Sequence, residues 1–97
     1  MNDLTAKTVT ATGYITGSSS NAQPARVKTI YYVASGSAGS ITLKDGGSGG
    51  TSKIVIATPA SATATEVVYI PDSGVRFSTD VHATIAGVTS VTVFHDG

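Results

Sequence analysis

The chain has no cysteine, no tryptophan, one glutamate and two histidines, and only 12% of its residues are charged. Each shortage excludes something. Without cysteine there are neither disulfide staples nor thiolate metal sites, and no redox mark of compartment. A charged share about half the usual ~25% means a surface built largely from hydroxyls and glycine. Six basic and six acidic side chains cancel, which removes the attraction that supplies most non-specific nucleic-acid binding. Arg26 and Lys28, the densest basic cluster, do not make a phosphate-tracking groove, so no nucleic-acid partner is expected. No stretch approaches the ~18 apolar residues of a membrane span, and Met1-Asn2-Asp3-Leu4 lacks a basic and an apolar signal region. A soluble chain without a signal peptide or a membrane partner is expected. Helical periodicity is missing too: no segment holds an i, i+3, i+4, i+7 apolar pattern, and β-branched residues dominate.

What is present fits one small all-β domain. Ninety-seven residues, 40% of them hydrophobic, suffice for a single thin core that buries roughly 60–65% of the unfolded surface. Residues 1–25 read as an N-terminal arm and linker. The arm alternates weakly, with Val9, Ala11, Gly13 and Ile15 against Thr8, Thr10, Thr12 and Tyr14, and pairing with a neighbouring subunit is a use for it. Residues 17–24, polar and ended by Pro24, form a flexible separator. Residues 26–97 read as the domain proper. The strongest strand, 26–34, is apolar on both faces, with Val27, Tyr31 and Val33 on one and Ile30, Tyr32 and Ala34 on the other, as expected of a central or covered strand. Ile41 and Leu43 alternate with Thr42 and Lys44, and Ile54 and Ile56 with Lys53 and Val55, on either side of the Asp45–Gly50 loop. Residues 58–64 stop that strand at Pro59. Residues 66–70 form the next, and Pro71-Asp72-Ser73-Gly74 a β-turn. Residues 75–78 and 81–85 are two short strands, or one bulged near Thr79-Asp80. The last strand has Val91 and Val93 on one face and Thr92 and Phe94 on the other. Seven to eight short strands at turn spacings near ten residues give a single antiparallel β-sandwich, jelly-roll or immunoglobulin-like.

Chemistry is scarce. His82 and His95 sit on different strands with no third ligand at a metal-like spacing, and His82 alternates away from Val81 and Ala83 toward a surface. No Gly-x-Ser-x-Gly elbow accompanies the many hydroxyls. A glycosidase pair would need Glu66 with Asp3, Asp45, Asp72, Asp80 or Asp96, most of them beside turns. The Gly46–Gly50 loop matches neither phosphate-binding glycine pattern and has one carboxylate where calcium loops use several. No enzyme, cofactor or metal is implied. Carbohydrate binding is the alternative, because sandwiches present aromatics to sugars and Tyr14, Tyr31, Tyr32 and Tyr69 are rings with a polar tip.

Four stretches carry a family resemblance: Arg26-Val27-Lys28-Thr29-Ile30-Tyr31-Tyr32-Val33-Ala34-Ser35, Gly39-Ser40-Ile41-Thr42-Leu43-Lys44-Asp45-Gly46-Gly47, Ile70-Pro71-Asp72-Ser73-Gly74-Val75-Arg76-Phe77, and Val91-Thr92-Val93-Phe94-His95-Asp96-Gly97. Across residues 26–97 the chain resembles small virion structural proteins of tailed bacteriophages, especially those of marine hosts. The resemblance implies a structural protein made in the host cytoplasm and located in the virion. It would decorate or cement the capsid as a symmetric homo-oligomer, with a trimer the first expectation, and contact other virion proteins. Tyr31, Tyr32, Tyr69, Phe94 and His95 are the expected assembly contacts. Should His95 line such a contact, its protonation would loosen assembly. The alternative reading becomes a carbohydrate-binding module of a receptor-binding tail component.

Overall fold

The computed structural model describes residues 4–58, 65–70 and 74–96. Residues 59–64, expected to stop a strand, and the Pro71-Asp72-Ser73 part of the expected turn lie outside the described residues, as do residues 1–3 and 97. Among the described residues nine strands are formed, more than the seven to eight expected: β1 (Leu4–Val9), β2 (Gly13–Thr16), β3 (Ala25–Ala34), β4 (Gly39–Asp45), β5 (Thr51–Thr58), β6 (Thr65–Tyr69), β7 (Val75–Phe77), β8 (Val81–Ala86) and β9 (Val88–Asp96). Among the described residues no helix is long and apolar enough to cross a membrane.

All pairings are antiparallel, and they nest. β4 pairs with β5, β3 with β6 and β7, β2 with β8, and β1 with β9. The nested hairpin is then rolled so that β9 also meets β3 and β8 meets β4. The result is one sheet ordered β1-β9-β3-β6, with β7 also on β3, and a second ordered β2-β8-β4-β5. This is the jelly roll, the first of the two sandwich topologies expected. Nine strands occupy eight lanes because β6 and β7 run in the same direction along one edge of β3, β6 against residues 29–33 and β7 against residues 25–27. Gly74, at φ +86°, joins this split lane; any Cβ there would meet the Val27 carbonyl oxygen.

Two expectations change. Residues 4–16, read as an arm outside the domain, supply an edge strand to each sheet. The polar stretch after them is pinned rather than free. Ser18 N donates to Asn21 O at 2.8 Å, and Gln23 N to Thr79 O at 2.7 Å. Thr16 holds the same corner: its buried hydroxyl donates to Gln23 O at 2.7 Å and accepts from Val81 N at 3.1 Å. Thr16→Val keeps the shape and removes both bonds, so urea denaturation is expected to show a loss of about 1–2 kcal/mol, with Thr16→Ser close to wild type.

Period-two alternation places the core between the sheets. Ile30, Val91 and Val93 from the first sheet face Ile41, Leu43, Val81 and Ala83 from the second, all fully buried, with Phe77 filling one end. Each large apolar side chain buried this way contributes about 1.5–3 kcal/mol. In β3 the alternation is broken once. The register against β9 slips between Val27 and Thr29, so Lys28 bulges outward and Val27 joins Ile30 and Tyr32 on the inner face instead of sharing the outer one with Tyr31 and Val33.

Candidate functional site

Two uncharged rows form the middle of the outer face of the first sheet. One row, read across β1, β9, β3 and β6, is Thr8, Thr92, Tyr31 and Val67; the next is Ala6, Phe94, Thr29 and Tyr69. Directly opposed residues of antiparallel strands share a face, so the registers bring Tyr31, Val67, Tyr69 and Phe94 together. Tyr69 is 78% exposed and Val67 44%. Tyr31 and Phe94 are half-buried within the sheet. Thr8 and Thr92 join through their hydroxyls at 2.7 Å, which fixes the edge of the face without using charge.

Three of the five expected contact residues, Tyr31, Tyr69 and Phe94, therefore share this surface. Tyr32 and His95 do not. Tyr32 is 6% exposed and belongs to the core, and His95 is 4% exposed on the inner side of β9. The reason is elementary: neighbours in a strand point to opposite faces, so Tyr31 and Tyr32, or Phe94 and His95, cannot both reach one outer surface. His95 has the parity of Val91 and Val93 and lies opposite Thr5 of β1 and Val27 of β3. Protonation of His95 accordingly acts on the fold of one chain. Its Nδ1 has no hydrogen-bond partner among the described residues. Burial pushes its pKa below the usual imidazole value, and neighbouring Asp96 only partly opposes this. Val67 was missed, although it has the parity of Tyr69 within β6.

His82 also departs from expectation. It lies on the outer side of the second sheet, between Tyr14 of β2 and Lys44 of β4, yet it is only 5% exposed. The Tyr14 ring meets it edge-on, with centroids 4.8 Å apart. Burial lowers the His82 pKa; Lys44 adds to the effect and Asp80 opposes it. His82 and His95 thus stand on opposite sheets, and among the described residues no three of His, Cys, Asp and Glu gather in one place.

The glycine loop after β4 has its own anion. Asp80 Oδ1 accepts from Gly46 N at 3.1 Å and from Gly47 N at 3.0 Å. Asp45 answers from the other side. Its Oδ1 accepts from Thr79 N at 2.8 Å and Asp80 N at 3.3 Å, and its Oδ2 from both Ser78 N and Ser78 Oγ at 3.1 Å. Lys53 Nζ stands 3.8 Å from Asp45 Oδ2. Two carboxylates thereby clasp the tip of the β4–β5 hairpin to the segment where the chain crosses from β7 in the first sheet to β8 in the second. Burial alone raises the Asp45 pKa, but the donors from Thr79, Ser78 and Asp80 outweigh it and hold the carboxyl below its ordinary value.

At one end of the outer face, beyond the Lys28 bulge, a third row reads Asp96, Arg26 and Arg76 across β9, β3 and β7. Pro24, Ala25, Arg26, Arg76 and Asp96 line a cleft of about 220 Å³ there. Comparison with family models, with curated proteins and with solved structures returns no match.

Proposed function

We propose that this chain is a non-enzymatic structural protein of a phage virion, decorating or cementing the capsid, and that it assembles symmetrically through the outer face of its first sheet. One observation carries the reading: Tyr31, Val67, Tyr69 and Phe94 form an uncharged aromatic surface, with Tyr69 78% exposed. Aromatic enrichment and charge depletion are what distinguish the centre of an interface from ordinary surface. Jelly rolls serve in capsid and in lectin domains alike, so the topology by itself does not choose between the readings. Of the four tyrosines a sugar platform could use, Tyr32 is turned into the core and Tyr14 stands on the second sheet, which leaves Tyr31 and Tyr69 on this face.

Light scattering at micromolar concentration tests the proposal. The wild-type chain is expected to be a homo-oligomer, a trimer in the first instance. The double variant Val67→Ser/Tyr69→Ser is expected to be a monomer whose thermal midpoint has barely moved, because both side chains already meet solvent within one chain. A wild-type protein that stays monomeric and does not bind emptied capsids sinks the proposal.

A further inference from the structure

We propose that Arg26 and Arg76 form a carboxylate-binding cleft that receives an acidic side chain of the protein on which this face docks, an inference that rests on the docking reading above. The two arginines are direct cross-strand partners of β3 and β7. Like charges placed opposite one another on a sheet repel, and a bulge or a single polar substitution would separate them. Here both instead border one concavity, with Pro24 and Ala25 closing it. Among the described residues neither guanidinium has a carboxylate within ion-pair distance. Asp96, the acid in the wall, stands 3.9 Å from Lys28 Nζ, and Asp45 is engaged by Lys53 at 3.8 Å.

The chemistry of the cleft narrows its ligand. Guanidinium forks match planar oxyanions through paired N–H···O bonds, and they do so better than an ammonium. Three cations, Arg26, Lys28 and Arg76, face one carboxylate, Asp96, which leaves the site attractive to anions. Asp96 in the wall disfavours a dianion, so the cleft suits a carboxylate over a phosphate. Position narrows it further. The Arg26–Arg76 row continues the rows of Tyr31, Tyr69 and Phe94 on the same outer face. Arginine at the rim of an aromatic patch is the composition of a protein-docking surface, where charge complementarity sets register and partner choice.

Titrating the full chain with an oligoglutamate peptide, followed by amide chemical shifts, tests the cleft. Saturable shifts centred on Arg26, Arg76 and Asp96 are expected, and they should weaken as salt is added. Arg26→Ala/Arg76→Ala is expected to weaken binding by roughly tenfold or more, and Arg76→Lys by less, because it keeps the charge but loses the fork. Val67→Ser/Tyr69→Ser should bind the peptide as wild type does, which separates failure of the cleft from failure of the docking reading. Unchanged affinity in the double-arginine variant overturns the proposal. So does tighter binding of inorganic phosphate than of the peptide, or binding of an acidic oligosaccharide where the peptide does not bind.

Discussion

Asp45→Ala is expected to lower the unfolding free energy by about 2–3 kcal/mol. Hydrogen bonds to an ionised group contribute about 1.5–3 kcal/mol each when measured by deletion, though bonds sharing one acceptor do not add. Here one carboxylate serves Ser78 N, Ser78 Oγ, Thr79 N and Asp80 N. Removing it releases donors at the crossing between sheets, just beyond the point where the β4–β8 ladder ends at Lys44 and His82. Asp45→Asn separates charge from shape. Its carbonyl oxygen can still accept from Thr79 and Asp80, but its amide turns N–H toward the donors of Ser78, so an intermediate loss is expected. Asp80→Ala frees Gly46 N and Gly47 N and should cost at least as much as Asp45→Ala, because Asp80 is 4% exposed and its bond to Gly47 is buried, whereas three of the four Asp45 bonds are exposed. The two carboxylates fasten the same two segments, so the double variant should lose less than the sum. Urea denaturation measures all four proteins, and an Asp45→Ala midpoint within error of wild type would remove the clasp from the account of the fold.

That clasp marks the limit of what the sequence conveys. Strand faces were legible because alternation is a local property: Ile41 and Leu43, Ile54 and Ile56, and Val91 and Val93 each declare an inner side. Pairing is not local. Asp45 and the Ser78–Asp80 segment meet only because β4 and β8 become neighbours in the roll, and nothing near Asp45 announces that partner. The same applies to β7 and β8, which the sequence leaves as two short strands or one bulged near Thr79-Asp80; the first is what forms, and each strand belongs to a different sheet. A bulge does explain Val27. Period two carries no information about a skipped residue, and the slip at Lys28 moves Val27 from the outer face to the core. The contact residues divide for a further reason. Aromatic character drew attention to Tyr31 and Tyr32 equally, while parity alone decides that only Tyr31 faces outward.

Parity matters again for the response to acid. His82 and His95 are held neutral by burial, with folded-state pKa values below the ordinary 6.5. The unfolded chain binds protons at these positions first as the pH falls. Stability is therefore full above about pH 6.5 and declines as the pH drops through the folded-state values, at up to about 1.4 kcal/mol per pH unit for each histidine. The groups around them set the balance. His82 has Tyr14, Lys44 and Asp80 about it, and His95 has Asp96 beside it with Thr5 and Val27 across the strands. Asp45 adds a second stage. Its folded-state pKa lies below 3.8, so its contribution is present above that value and is lost only as the pH falls through the folded-state value. Thermal midpoints between pH 8 and pH 3 are expected to hold level, then slope downward from about pH 6.5, then steepen below about pH 4. His82→Gln and His95→Gln should each flatten the upper slope while leaving the lower one, and Asp45→Asn should do the reverse. A midpoint that rises on acidification through pH 6 would show that the histidines are charged in the folded chain and that burial does not control them.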